Sequence, residues 1–329
     1  MAKTTKKDKY QSAEWVTYRP EIMVHDCTVR DGGLMNNHKF DDDFVKKVYT
    51  ACVDAGVDYM ELGYKGSKKI FDPKEYGPWK HCNEEDVRRV VGDNDTELKL
   101  SVMADAERTD YKKDILPKKD SVLDCIRVAC YVHQIPTAID MVMDAKEKGY
   151  EVTLNLMAVS TVPDFELDKA LEVIAESPAD VLYIVDSYGS LYGEQIDDLM
   201  DRYTNAMKGK KEIGIHGHNN LQMAFSNTVA AIIKGATRLD ATMMGLGRGA
   251  GNCHLELLLS FLKNPKYSER AILKCIQETI LPMRKEMDWG YSIPYMITGV
   301  LNEHPRPAMK LRGGETPDDY VAFFDEMNE

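Results

Sequence analysis

The stretch "EVTLNLMAVSTVPDFELDKALEVIAESPADVLYIVDS", residues 151–187, decides the fold. Its first part, 151–159, is apolar and β-branched and reads as a strand. Residues 165–177 place apolar side chains at helical spacing, and 181–187 return to strand character. Strand, helix and strand in so short a length form the parallel unit with a right-handed crossover. The alternation continues in both directions. Upstream lie strand candidates at 22–28, 59–64, 98–104 and 125–131, with helical segments at 42–56 and 137–149. Downstream lie strand candidates at 212–218 and 238–245, with a helical segment at 221–235 between them. Several helical segments end in glycine, the usual residue just past a helix C-terminus. Strand–helix units in this number, within roughly 250 residues, predict a closed (β/α)8 TIM barrel. A doubly wound open sheet competes, but no G-x-G-x-x-G follows the first strand, which weakens its dinucleotide-binding form.

The ends of the chain do not follow the alternation. The start, "MAKTTKKDKYQ", is basic with no apolar core after it, so it reads as a frayed tail and not a secretory signal. Near the other end, "ERAILKCIQETILPMRKEMDWGYSIPYMITGVLNEHP" looks helical, with a break around Trp289–Pro294. A loop and a short amphipathic helix, "RGGETPDDYVAFFDEMNE", follow. The expected organisation is a flexible tail over 1–20, a barrel over 21–265, and a C-terminal helical extension over 266–329 packed on the barrel.

Composition excludes several classes. The 329 residues are 43% apolar with a net charge of −12, which argues against nucleic-acid binding. The apolar runs fall short of the roughly 18–20 residues of a membrane span. The cysteines number seven and form no C-x-x-C pair, which reads as reduced thiols in a cytoplasmic protein.

The segment "EIGIHGHNN", residues 212–220, places His216 and His218 two apart at the end of a strand. Residues i and i+2 share a face, and barrel active sites lie at this end. Paired imidazoles there fit a metal. A pair of polar side chains lining the barrel mouth is the plainer alternative. The first strand ends in "HDCTVRDGG", where Asp26 lies in the strand, Arg30 and Asp31 enter the loop, and Gly32 and Gly33 free the backbone. Two neutral imidazoles and a carboxylate, with positions left open for substrate oxygens, suit manganese, magnesium, iron or cobalt. The last strand runs into "GLGRGAGNCHLE", whose glycines suit an anion-binding loop or a plain turn. Glu61, Arg127 and Asp186 lie on strands at the pocket end and are candidates to bind substrate, with structural ion pairs as the alternative. Arg248 is a candidate for a substrate carboxylate or phosphate. Lys65 follows the second strand and reads as a surface lysine rather than a Schiff base.

Taken in order and spacing, "DCTVRDGG", "HGHNN" and "GLGRGAGN" resemble the DRE-TIM metallolyases, the HMG-CoA lyase-like family. The 4-hydroxy-2-oxovalerate aldolase branch is the most similar, and the resemblance covers roughly residues 20–262. It implies one divalent metal, manganese or magnesium first, with cobalt or zinc as alternatives. By matching position, Asp31, His216 and His218 are the implied ligands, and Asn252 a ligand or near neighbour. Arg30 matches the arginine that steadies an enolate oxygen. "DWGYSIPY" resembles the segment that supplies a tyrosine acid/base, which points to Tyr291, then Tyr295. The branch places a histidine three residues after the metal aspartate. Here that position is Leu34, and the nearby histidine is His38. The resemblance also implies a homodimer acting on a 2-oxo acid and an aldehyde. Helical extensions differ among members, so it does not carry over a dehydrogenase partner.

The expected activity is class II aldolase chemistry on a 4-hydroxy-2-oxo acid, through a pyruvate-type enolate. One alternative is an acyl-CoA-dependent Claisen condensing enzyme, like isopropylmalate or homocitrate synthase. The Glu-Gln that those synthases carry after Asp-Gly is absent. A non-catalytic metal- or ligand-binding barrel is the other alternative.

Overall fold

The computed structural model describes residues 19–329, so the expected tail, up to residue 18, lies outside the described residues. The expected (β/α)8 barrel is the fold. The first half runs β1 (Met23–Asp26), α1 (Thr28–Gly32), α2 (Asp42–Ala55), β2 (Tyr59–Tyr64), α3 (Glu84–Val91), β3 (Lys99–Asp105), α4 (Tyr111–Asp114), β4 (Cys125–Cys130) and α5 (Ile135–Glu147). The second half runs β5 (Glu151–Leu156), α6 (Asp164–Ala175), β6 (Val181–Asp186), α7 (Gly193–Met207), β7 (Glu212–Gly217), α8 (Ala224–Ile233), β8 (Arg238–Ala241) and α9 (Leu255–Leu262). Each strand pairs in parallel with the next, and β8 closes on β1 with Val24 opposite Leu239 and His25 opposite Asp240.

β2, β4 and β6 are buried at every position, because one face fills the barrel and the other meets the helices. The helices form by the same economy. Asp41 caps α2 by accepting a hydrogen bond from the Phe44 amide at 2.7 Å. Phe44, Val45, Val48, Ala51, Cys52 and Ala55 then supply one buried stripe. Gly56, at φ +69°, ends the helix in the left-handed conformation.

Two local details differ from expectation. Gly32 and Gly33 do not free the backbone. Both are helical, with φ of −59°, inside and just after the short α1. What they provide is room. β8 stops at Ala241 rather than 245, because the chain turns at once through Met244 at φ +57°.

Beyond the barrel, α10 (Glu269–Cys275) passes through a π turn into α11 (Leu281–Met283). After the expected break come α12 (Ile293–Val300), α13 (Arg306–Arg312) and α14 (Tyr320–Asn328). These last three helices build a small second core from Tyr295, Ile297, Ala308 and Phe323, joined to the barrel through Ala250. Among the described residues no helix is long and apolar enough to cross a membrane.

Candidate metal centre

β7 delivers His216 from within the strand and His218 from one residue past its end. Their rings stand 4.9 Å apart, centroid to centroid. Each is aimed by its other nitrogen. His216 Nδ1 lies 2.9 Å from Asp240 Oδ2 on β8. His218 Nδ1 lies 2.9 Å from the carbonyl of Asp186. A carbonyl only accepts, so His218 carries its proton on Nδ1 and presents a lone pair at Nε2.

α1 brings Asp31 to the same point. Arg30 Nη1 holds Asp31 Oδ1 at 2.7 Å, and Asp31 Oδ2 stands 3.3 Å from His216 Nε2. Ligand atoms of Asp31, His216 and His218 all fall within 4.8 Å of one another. Asn252 comes from the loop after β8, where it pairs with His218 as an isolated bridge. Its amide nitrogen donates to the Leu246 carbonyl at 3.2 Å. Gly247 makes this fit, since a Cβ there would lie 2.2 Å from Asn252 Nδ2.

Asp31 Oδ2, His216 Nε2, His218 Nε2 and Asn252 Oδ1 are all buried without a hydrogen-bond partner. Each such group costs about 1–3 kcal/mol if nothing answers it. One cation among the two imidazoles and the carboxylate answers the first three, so the residues fit a divalent metal. The electrostatics agree for Asp31 and His218. For His216, burial is outweighed by its contacts with Asp240 and Asp31, which push it up, and a cation at this point would take the place of its second proton. Burial works against the charge of Asp31, but the Arg30 guanidinium and His216 hold its carboxyl well below the usual range. Burial, then His216, pushes His218 down to about 3, so it stays neutral.

Below these ligands runs a closed ring of alternating charge. Arg30 Nε donates to Glu61 Oε2 at 2.7 Å. Arg127 donates from Nη1 to the same Glu61 oxygen at 3.0 Å and from Nη2 to Asp240 Oδ2 at 2.6 Å. Asp240 leads to His216, and His216 back to Asp31. Glu61 and Arg127 are fully buried in this ring and do not line the cavity above it. Cys27, His216 and Asp240 also lie close enough to share an ion. There, however, Arg127 and His216 both take Asp240 Oδ2, Arg127 Nη1 also donates to Cys27 Sγ at 3.4 Å, and burial pushes the Cys27 thiol up so that it keeps its proton.

The cavity, about 310 Å³, opens over the ligands at the C-terminal end of the barrel. Arg30, Asp31, His38, His216, His218 and Arg248 line it. His38 is 2% exposed, and its Nδ1 is buried without a partner. Burial, then Lys80, pushes its pKa down to about 3. Asp186 stands behind the wall, where its carboxylate accepts from the amides of Ser190 and Leu191. Tyr291 is 56% exposed and outside the cavity lining, whereas Tyr295 is buried in the second core. Lys65 is not a surface residue. It is 3% exposed, and its Nζ donates to the Cys82 carbonyl at 2.7 Å, which removes it as a free amine.

Other lining residues escaped the sequence reading. Lys80 is 5% exposed and sits 3.9 Å from the Tyr64 ring centroid and 4.0 Å from that of Phe71. Burial lowers it to about 8. Asp105 and Arg108, at and just past the end of β3, were within reach of the rule that places functional groups at strand C-termini. His304 and Arg306 come from the extension, and no pattern in the chain marks them as cavity residues.

The HMGL-like family model matches residues 21–279. The oxaloacetate decarboxylase of Mycobacterium tuberculosis is 32% identical over 253 residues, 75% of this chain and 71% of that protein. The 4-hydroxy-2-oxovalerate aldolase of Pelotomaculum thermopropionicum is 30% identical over 248 residues, 75% of this chain and 72% of that protein. Among solved structures, the N-terminal domain of a Bacteroides vulgatus protein provisionally named an aldolase superposes with a TM-score of 0.74 at 28% identity. It covers 92% of this chain and all of that domain. The HMG-CoA lyase of Brucella melitensis has the same fold, with a TM-score of 0.65 at 15% identity over 80% of this chain and 99% of that one. The family match takes in the whole barrel and every candidate ligand described above, and the chain belongs to the HMGL-like family.

Proposed function

We propose that this protein is a divalent-metal-dependent carbon–carbon lyase of the aldolase type, acting on a 4-hydroxy-2-oxo acid and releasing an aldehyde and a pyruvate-type enolate. The observation that carries this reading is the convergence of Asp31 Oδ2, His216 Nε2 and His218 Nε2, partnerless and buried, on the floor of a cavity that Arg30 also lines. The relatives' names support it, as one is an aldolase and one a decarboxylase of 2-oxo acids.

Asp31, His216 and His218 hold the ion, with Asn252 beside them. When bound, a divalent cation here supplies Lewis acidity toward the 2-oxo and carboxylate oxygens of the substrate. Manganese or magnesium suits the mixed nitrogen and oxygen donors. Arg30 engages Glu61 through Nε and Asp31 through Nη1, which leaves Nη2 to donate toward the enolate oxygen. Arg248 lines the cavity without an acidic partner and meets a substrate anion. His38, neutral and lining the cavity, accepts the proton of the 4-hydroxyl. The C3–C4 bond then breaks, its electrons pass into the enolate, and the aldehyde departs. With Tyr291 exposed, the proton that returns to C3 comes from water. Glu61, Arg127 and Asp186 act from behind, by holding Arg30, His216 and His218 in place. A homodimer in the cytoplasm completes the reading.

The test is exchange of the methyl protons of pyruvate with deuterium, followed by proton NMR with no aldehyde present. Metal-loaded enzyme should exchange them, and chelator should stop it. Exchange in acetyl-CoA but in no 2-oxo acid would favour a condensing synthase. Exchange in neither would leave a binding barrel.

A further inference from the structure

Outside the buried ionic ring, the cavity is lined by the cations Lys80, Arg108, Arg248 and Arg306, against a single acid, Asp105. This imbalance occurs in a chain whose net charge is −12. One wall carries it furthest. Arg248 comes from the loop after β8, and His304 and Arg306 come from the turn into α13. Among the described residues neither guanidinium has a carboxylate partner, unlike the buried Arg30 and Arg127. Arg248 Nε is buried and bonded to nothing. His304 stands edge-on to the Tyr188 ring at 5.8 Å, and its Nδ1 accepts from the Arg306 amide at 3.1 Å. Burial and the two guanidinium groups push His304 down to about 4, so it remains a neutral polar contact beside them.

Arg306 is exposed and Arg248 half-buried, and two such cations at a cavity wall, with Asp105 the one lining acid outside the ring, favour an anionic ligand. The 2-oxo acid end of the substrate carries one carboxylate, and Arg30 and the metal ligands already face that end. The wall therefore calls for a second negative group. We propose that Arg248, His304 and Arg306 form an anion subsite for the far end of the substrate, so that the aldehyde released carries a carboxylate or a phosphate. This inference rests on the aldolase reading above. It also gives the extension a task, because the barrel alone does not supply His304 or Arg306.

The experiment runs the reaction toward condensation. Pyruvate is offered with acetaldehyde, with glyoxylate and with glycolaldehyde phosphate, and kcat/KM is measured for each. The charged aldehydes should exceed acetaldehyde by about 10- to 100-fold, the worth of one or two charge-assisted hydrogen bonds. Whichever of glyoxylate and glycolaldehyde phosphate wins identifies the anion. Arg306→Gln should collapse that ratio through KM, and Arg306→Lys should keep part of it. Titration of the metal-loaded protein with inorganic phosphate and with acetate, followed by calorimetry, reads the subsite without turnover, and Arg306→Gln should weaken the better of the two. Equal rates for charged and neutral aldehydes, in an enzyme that does exchange pyruvate protons, would overturn the subsite alone. If pyruvate does not exchange, the aldolase reading falls, and the titrations decide the subsite. Identical titrations in wild type and Arg306→Gln would overturn it.

Discussion

The carboxyl of Asp31 has no access to solvent, yet Arg30 holds one of its oxygens at 2.7 Å and leaves the other facing His216 and His218. A buried charge of this kind is tolerable only inside a paired network, and here the ring through Glu61, Arg127, Asp240 and His216 provides it. Asp31→Asn keeps the shape but removes the negative ligand. Manganese at a hundred times its Kd should stabilise the wild type by about 2.7 kcal/mol, a rise in melting temperature of about 5 °C, and Asp31→Asn should lose that rise. An undiminished shift in the variant would mean that the ion sits elsewhere. Asp31, His216 and His218 were legible because their motifs sit at strand ends, where the chain itself encodes both face and direction. Glu61 and Arg127 were legible only as inward-facing residues. Whether an inward side chain lies in the floor or on the wall depends on barrel stagger, such as Met103 standing opposite Arg127, and no local pattern records it. His38 was visible as the histidine nearest the motif, but its burial beside Tyr64 required the fold.

The short helix α1 shows how an element, rather than a residue, sets up the chemistry. Its run into Gly33 turns Arg30 and Asp31 toward the barrel axis, and Gly33 then leaves space for the imidazole of His38. A Cβ at Gly33 would lie 2.2 Å from His38 Nδ1. The ring cannot simply swing away, because His38 is held at φ +59° with its amide donating to the Gly33 carbonyl at 2.7 Å. Gly33→Ala should fold normally by circular dichroism yet lose retro-aldol turnover on the order of 100-fold, the scale of a misplacement of about 1 Å. Gly32→Ala is the control, since its Cβ would press on the Leu246 side chain at 2.8 Å and the Phe40 ring at 3.1 Å and not on His38. A fully active Gly33→Ala would remove His38 from the reacting position. The sequence suggested glycines for freedom of φ, whereas the structure uses them for volume. Glycine as a letter cannot distinguish the two. Strand and helix cores were read well for the opposite reason, as their periodicity repeats over many residues. β8 was read too long, because Thr242–Gly245 is apolar enough to continue a strand while its backbone turns.

At the scale of the whole molecule, two of the apolar cores among the described residues belong to different parts of the chain and are of unequal size. The large one lies between the strands and their helical coat, while the barrel interior holds the ionic ring and two small clusters, Tyr64 with Met103 and Ala129, and Val181 with Tyr183 and Val185. The small one, Tyr295, Ile297, Ala308 and Phe323 with Ala250, ties α12, α13 and α14 to the loop after β8. That loop also carries Arg248 and Asn252, so the extension is packed against the segment that completes the candidate metal centre. Small cores open more readily than large ones, and local unfolding follows such units. Phe323 is 4% exposed at the centre of the small core. Phe323→Ala should cost about 3–5 kcal/mol locally, which is comparable to all that such a cluster can hold. Hydrogen exchange should then show residues 293–328 losing protection, while β3 and β4 exchange as slowly as before. Activity should fall with charged aldehydes, because His304 and Arg306 leave the wall, while manganese still binds to Asp31, His216 and His218. If protection falls equally in the barrel strands, the extension and the barrel are one cooperative unit, and the cavity wall cannot open independently of the fold.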